Sequence, residues 1–399
     1  MAFNFHFVLV LVIVYGTNYS LRFLEDYGIP IVATEILAGI IFGSLLGIIS
    51  PGLPGYDFLV TLAAFGLLLI MFQAGIELDL GLIRRQPKRI GILGGLTFMI
   101  PFLAGAGLAV YLGFNLFAAY LVGIVISTTS LGLVHPLLVD FHLLEYEGGQ
   151  LILSVTGLND VLSIIALAYG IALTSPNPLI GAVAVTAALV LFFVVIPLFF
   201  LDKLSRIAPP RLAEDPVKTS ILLTLTLALL TEWLGIHAIL GGFFAGLLLD
   251  EITHDNGPDV ETATRPIITL AASAFFFYVG MNFSISSLYS AGLGLIALVI
   301  IVGIGSKFVS ALIGGFTMDI GRKTTLLLAA TMPGRLSLSV AAAEIGRSRG
   351  LISSTLYDAF IILSTISVFI TVATFQYFMR FSKSEAGEEI PTRETTQTE

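Results

Sequence analysis

Thirteen long apolar stretches, divided by short segments rich in charge, Pro or Gly, constrain this chain more than any other feature. They run Phe5–Leu21, Ile29–Ile49, Phe58–Gly75, Ile90–Leu112, Leu116–Val139, Gln150–Leu173 and Leu179–Leu201, then, after a polar linker from Asp202 to Lys218, Thr219–Leu234, Ile236–Asp250, Ile267–Phe283, Leu293–Met318, Thr324–Ile345 and Leu351–Met379. Most match the ~17–25 residues that a helix needs to cross a hydrocarbon core. The runs are continuous, whereas a membrane barrel needs alternating segments of about ten residues, so helices are expected throughout. Composition agrees: the chain is 56% hydrophobic and 12% charged, against roughly 25% charged in soluble domains. The predicted fold class is therefore an all-α membrane protein with 13 transmembrane helices. The division is least secure at Thr219–Asp250, where Glu232, Trp233 and Gly235 separate two short runs.

Several function classes fall away at once. Without cysteine there are no disulfides, thiolate metal sites or Cys-attached haem. The net charge of −8 sits largely in loops and in the stretch from Ser382 to Glu399, so it does not argue for a basic partner, and no nucleic-acid partner is expected. The start, Met1-Ala-Phe-Asn-Phe-His, lacks a basic n-region and a cleavage site, so it reads as the first span and not as a removed signal. No phosphate loop, metalloprotease pattern or nucleophile elbow occurs in a suitable context, so the chain does not read as an enzyme, and no cofactor is expected.

The basic residues give an independent test of the count, because Lys and Arg collect in short cytoplasmic loops. With thirteen spans, Arg22, Arg84, Arg85, Lys88, Arg89, Lys203, Arg206, Arg211, Lys218, Arg265, Arg322, Lys323, Arg380, Lys383 and Arg393 share one side, and only Arg347 and Arg349 take the other. The bias places the N-terminus outside a cell membrane and the C-terminus, with a short disordered tail over 381–399, in the cytoplasm. Two of the nineteen basic residues remain inside spans, Lys307 and Arg335. Both are candidate partners for buried carboxylates.

An internal repeat also emerges. Ile36-Leu-Ala-Gly39-Ile-Ile-Phe-Gly43 resembles Ile239-Leu-Gly-Gly242-Phe-Phe-Ala-Gly246, a shift of 203 residues, Gly75 matches Gly280, and Thr128–Gly132 aligns with Pro333–Ser337. Each match is displaced by seven spans. Seven is odd, so the copies are upside down relative to each other, which is the inverted-topology plan of secondary transporters. Spans one to six and eight to thirteen form the copies and the seventh links them. The small-xxx-small pairs Gly39/Gly43 and Gly242/Gly246 are expected to mediate close helix packing.

Within this frame the sixth stretch stands apart, because it carries Asp160 near its middle, beside Asn159 and close to Ser154, Thr156 and Ser163. A carboxylate at that depth costs about 2.5–3.5 kcal/mol even on the gentlest insertion scale, so a functional role is the expected explanation. The fifth stretch has Ser127-Thr-Thr-Ser130, then Gly132 and Pro136, and the twelfth has Thr331-Met-Pro333-Gly334-Arg335. These are helix breakers at corresponding places, and they predict two crossing broken helices. Asp160, Asn159, Thr129 and Ser130 would then converge as an oxygen shell for a small hard cation at Asp160, in competition with a proton. Lys307 reads as a supporting countercharge. Arg335 would neutralise helix C-termini at the break or pair with Glu77 or Glu344. Glu35, Glu232, Glu344 and Asp358 read as mouth or packing residues near span ends, Thr156 and Ser163 as hydroxyls bonded to their own helix, and His135 as a solvated or hydrogen-bonded histidine.

Phe65-Gly-Leu-Leu-Leu-Ile-Met-Phe-Gln-Ala-Gly75-Ile-Glu77-Leu-Asp79, Ser127-Thr-Thr-Ser-Leu-Gly-Leu-Val134, Gly157-Leu-Asn-Asp160, Phe275-Phe-Phe-Tyr-Val-Gly280-Met and Pro333-Gly-Arg335 resemble the monovalent cation/proton antiporters over the whole membrane portion. The Asn-Asp pair in the sixth span is the most specific of these. The resemblance implies a transmembrane domain over 1–380 that forms a homodimer in lipid. In it, a core of spans four to six and eleven to thirteen would move against a dimerisation domain of spans one to three and eight to ten. It maps the ion-binding aspartate onto Asp160, its neighbour onto Asn159, the hydroxyls of the unwound helix onto Thr129 and Ser130, and the basic residue of the eleventh span onto Lys307. Electrogenic relatives carry Asp where Asn159 stands, so the resemblance implies electroneutral, one-for-one exchange. Relatives gated by nucleotide-binding domains have a long C-terminal extension, and here only about twenty residues follow the last span. The expected function is exchange of Na+ or Li+ for H+ by alternating access. K+/H+ exchange is the alternative, and a cation-coupled organic-anion symporter using Arg335 and Lys307 a more distant one.

Overall fold

The computed structural model describes residues 5–21, 31–49, 55–77, 86–173, 177–191, 215–233, 238–253, 260–283 and 293–386, and these are helical with short connections. The helices are α1 (Phe5–Leu21), α2 (Ile31–Gly39, continued by a wider π turn over Ile40–Leu45), α3 (Tyr56–Ile76), α4 (Pro87–Tyr111), α5 (Leu116–Ser127), α6 (Leu131–Asp140), α7 (Glu147–Leu173) and α8 (Pro178–Val190). After these come α9 (Pro216–Trp233), α10 (Ala238–Thr253), α11 (Val260–Met281), α12 (Leu293–Thr317), α13 (Arg322–Thr331), α14 (Ser337–Ser348) and α15 (Ser354–Ala386). Two separate helices, α9 and α10, occupy the stretch where the sequence division was least secure. The last helix runs to Ala386, into the stretch expected to be a tail, and 387–399 lies outside the described residues.

Local chemistry sets several boundaries. Pro87 and Pro178 open α4 and α8, where the missing N–H is no loss. Asn115 caps α5 by accepting a hydrogen bond from the Ala118 amide at 2.9 Å. Seven of the helical stretches are long and apolar enough to cross a membrane, among them Pro87–Tyr111, Glu147–Leu173 and Gly294–Thr317.

The helices pack in two groups. In one, α3 contacts α10 and α11, α2 contacts α11 and α1, and α9 contacts α10. In the other, α4 contacts α5, α7 and α12, while α15 contacts α12, α13 and α14. The first group is joined through glycines. A Cβ added at Gly39 would collide with the Phe277 carbonyl, one at Gly280 with the Ile36 carbonyl, one at Gly75 with the Phe243 carbonyl and one at Gly246 with the Phe72 carbonyl. Backbones this close leave no room for a methyl group, which is the packing expected of the small-residue pairs.

Between the groups lies an apolar seam, with Ile36, Ile70, Phe243 and Phe275 on one side and Val122, Ile126, Leu338 and Ala342 on the other. A hydrogen bond crosses it where the Tyr357 hydroxyl donates to the Val279 carbonyl at 3.2 Å. Beside that bond Arg347 grips Glu344 through two hydrogen bonds of 2.6 and 3.1 Å and lies over the Tyr357 ring.

Candidate ion-binding site

The site is built where two helices stop and restart. Between α5 and α6, Thr128 and Ser130 are extended, and between α13 and α14 residues 332–336 leave the helix. Unpaired backbone groups at membrane depth are tolerated only when buried in protein and given partners. Here the two breaks supply each other: the Ser130 amide donates to the Gly334 carbonyl at 2.8 Å, and the Thr129 hydroxyl to the Met332 carbonyl at 3.2 Å. The first break is tighter than the sequence suggested. Helix α6 resumes at Leu131 and passes through Gly132 and Pro136.

Asp160, on α7, faces this crossing. Its Oδ2 accepts a hydrogen bond from the Leu131 amide at 3.2 Å, the first free N–H of α6. A helix N-terminus carries partial positive charge and suits a carboxylate. Its other oxygen, Oδ1, is buried without a hydrogen-bond partner, and the residue is 8% exposed.

Asn159 points elsewhere. Its amide nitrogen donates to Thr97 Oγ1 at 2.9 Å and to the Val155 carbonyl at 3.0 Å, and its Oδ1 accepts from Lys307 Nζ at 2.9 Å. Lys307 also donates to Thr129 Oγ1 at 2.7 Å. The ammonium is thus held by two neutral oxygens and forms no direct ion pair with Asp160, although it lies within electrostatic reach of that carboxylate. The structure therefore brings Asp160, Asn159, Thr129, Ser130 and Lys307 together but divides their work. Thr129 and Asn159 spend their oxygens on Lys307, Ser130 ties the two breaks, and Asp160 keeps one oxygen open.

Arg335 is fully buried behind the crossing. It donates to the Gly303 carbonyl at 2.7 Å and, through Nε, to the Pro333 carbonyl at 3.3 Å. Pro333 lies at the second break, whereas Gly303 lies within α12. The expected pairing with Glu344 is not made, because Glu344 holds Arg347. Glu77 accepts from Gln73 at 2.7 Å. Glu35, Glu344 and Asp358, read as mouth or packing residues, are all buried, and Glu35 accepts from the Ser273 hydroxyl at 2.5 Å. Thr156 bonds its own helix as expected. Thr97 was not singled out from the sequence, since a hydroxyl inside an apolar helix looks like any other until its partner is in place.

Chemically, an open carboxylate oxygen beside a compensating ammonium and a helix N-terminus is suited to a hard monocation or a proton. No group of three or more His, Asp or Glu suited to a transition metal occurs among the described residues.

Comparison with known proteins agrees in kind. The probable Na+/H+ antiporter 3 of Methanocaldococcus jannaschii is 26% identical over 354 residues, covering 87% of this chain and 90% of its own length. The Na+/H+-K+ antiporter GerN of Bacillus cereus is 25% identical over 385 residues, with 94% and 97% covered. Among solved structures, the sodium proton antiporter MjNhaP1 from Methanocaldococcus jannaschii shares the fold at 17% identity, with a TM-score of 0.68 over 96% of this chain and 98% of that one. The family described as sodium/hydrogen exchanger, transmembrane, matches residues 8–380. With that match over nearly the whole of its length, and apolar helices to carry it across the bilayer, this multi-pass membrane protein belongs to the sodium/hydrogen exchanger family.

Proposed function

We propose that this chain exchanges Na+ or Li+ for H+ across the membrane by alternating access, with Asp160 holding the cation and the proton in turn. The observation that carries this reading is the single buried carboxylate oxygen left open at the crossing of the two broken helices. The names of the relatives, Na+/H+ antiporters from Methanocaldococcus jannaschii and Enterococcus hirae among them, support it. The name of GerN keeps K+ as the alternative cation.

Coupling follows from electrostatics. A bare carboxylate carried past an apolar seam costs several kcal/mol. One Na+ or one proton neutralises that carboxylate alike, so the two loaded forms carry the same charge and cross, while the empty one stays. With a single carboxylate at the site and Asn159 beside it, each cation released is replaced by one proton, and the exchange is electroneutral. Asp160 is then the cation and proton ligand, while Asn159 and Thr129 hold Lys307 and Ser130 joins the two breaks. Lys307 supplies fixed countercharge, and Arg335 holds the second break.

The wider architecture belongs to the same reading: thirteen spans, N-terminus outside and C-terminus cytoplasmic, a homodimer in lipid, and a moving core of spans four to six and eleven to thirteen. Two observations support the inverted repeat. Gly39 meets α11 much as Gly242 meets α3, and Gly280 meets α2 as Gly75 meets α10.

The test uses purified protein in proteoliposomes with a trapped pH dye. Na+ and Li+ are expected to drive proton flux in the wild type, independent of membrane potential, and Asp160→Asn is expected to abolish it. A response to K+ alone would replace the cation in this reading, and undiminished flux in Asp160→Asn would remove Asp160 from it.

A further inference from the structure

The hydroxyls along α7 do not behave alike. Ser154 and Thr156 each donate to the carbonyl one turn back, those of Gln150 at 2.7 Å and Ile152 at 2.9 Å. A Ser or Thr inside a helix commonly forms this bond. Ser163 does not. Its residue is 0% exposed, and its Oγ has no hydrogen-bond partner. A buried polar atom left unsatisfied points to a missing partner.

The other orphan oxygen on α7 is Oδ1 of Asp160. Residues three apart on a helix share a face, with Cβ atoms about 5–6 Å apart. At 3.6 residues per turn, the direction of Ser163 falls between those of Asp160 and Asn159, one turn further along. The Lys307 ammonium does not satisfy Asp160 Oδ1, because it is bonded to Thr129 and Asn159. Two unsatisfied oxygens at this spacing can grip one ion, since hard cations of Na+ size hold oxygens at roughly 2.3–2.6 Å.

We infer that Ser163 is a ligand of the transported ion, its Oγ and Asp160 Oδ1 taking an alkali cation between them. The inference rests on the exchange reading above. A hydroxyl adds an oxygen without adding charge, so Ser163 sharpens affinity and selectivity among Na+, Li+ and K+ and leaves the one-for-one count unchanged. The same hydroxyl serves the proton-loaded form. There the protonated Oδ1 donates its hydrogen to Ser163 Oγ, so both loaded states satisfy both atoms.

The experiment measures Na+- and Li+-driven proton flux in proteoliposomes for the wild type, Ser163→Ala, Ser163→Thr and Asp160→Asn. Alongside it, the rise in melting temperature caused by added Na+ is measured in detergent. Ser163→Ala is expected to raise the Na+ concentration for half-maximal flux about tenfold, as befits one lost ligand to a charge, with little change in maximal rate. The Na+-induced rise in melting temperature should shrink in step, and Ser163→Thr should restore both. Unchanged half-saturation in Ser163→Ala, with Asp160→Asn silent, would overturn the role of Ser163 and leave the exchange reading standing. A fall in maximal rate alone would also overturn it, as the mark of a packing role. A wild type with no cation-driven flux would overturn the exchange reading itself.

Discussion

In the exchange proposed above, Asn159 is the residue on which the stoichiometry turns. It is neutral, yet it holds the Lys307 ammonium at 2.9 Å and is itself held by Thr97. Replacing it with Asp puts a second carboxylate beside Lys307 without changing its size, and that carboxylate can exchange protons in its own right. Asn159→Asp is expected to make Na+-driven flux sensitive to membrane potential, as read with valinomycin-set potentials in proteoliposomes. Potential-independent flux in that variant would count against a charge balance set by one carboxylate. At this scale the sequence showed Asp160 because a mid-span charge is costly. It did not show that Thr129 and Asn159 serve Lys307, because those contacts join residues 148 and 178 positions apart. Nor did it separate Thr156 from Ser163, since the difference lies in a bond that one of them fails to make.

Among the elements, the informative comparison is between prolines that break a helix and prolines that do not. Pro101 lies inside the uninterrupted α4 and Pro266 inside α11, yet Pro333 sits in a true break. A proline removes one backbone bond, and neighbouring groups can make up for it. Ending a helix at membrane depth frees several groups, so it requires an opposite strand of freed groups such as Ser130 and Gly334 provide. Pro333 and Gly334 marked the break in the twelfth stretch, whereas in the fifth the chain leaves the helix at Thr128–Ser130 and Gly132 and Pro136 lie inside α6, so only the partnership explains why the chain breaks where it does. Gly334 is also tightly enclosed, since a Cβ would meet the Leu133 side chain at 2.7 Å and Thr371 at 3.1 Å. Gly334→Leu should spread the crossing at a cost of about 1–3 kcal/mol. The expected result is folded protein with a lowered melting temperature and strongly reduced flux, and wild-type flux would show that the crossing tolerates a wider spacing.

For the whole molecule, the two helix groups differ in how they are held. The first is locked by backbone contact at glycines, while the second is pinned by a polar crossing, and the seam between them is largely apolar. A rigid frame beside a smooth seam suits relative movement, with the Tyr357–Val279 bond and the Arg347–Glu344 pair gathered at one end. The frame's rigidity is open to direct test. Gly246→Ala sets a methyl against the Phe72 carbonyl and the Ile76 amide, whereas Gly95→Ala meets no atom within 4 Å. The first should lose about 1–3 kcal/mol of stability in thermal or denaturant melts and the second almost none. Equal melting of the two would mean that the frame yields where it looks closed. The helical, multi-span character was readable because most of the apolar runs are long enough to need the bilayer, whereas the grouping depends on which glycines meet which carbonyls, a pattern that no single stretch contains.

Those glycine contacts also bear on how such a chain drifts over time. A lipid-facing leucine can become valine, isoleucine or phenylalanine at little cost, and much of the surface here is of that kind. A position that must carry no side chain has no substitute at all. Random replacement would therefore erode most of the letters while leaving the frame's joints in place, and an inventory of tolerated changes across this molecule should be emptiest at residues such as Gly39, Gly75, Gly246 and Gly280, which contribute nothing to the ion and almost nothing to hydropathy.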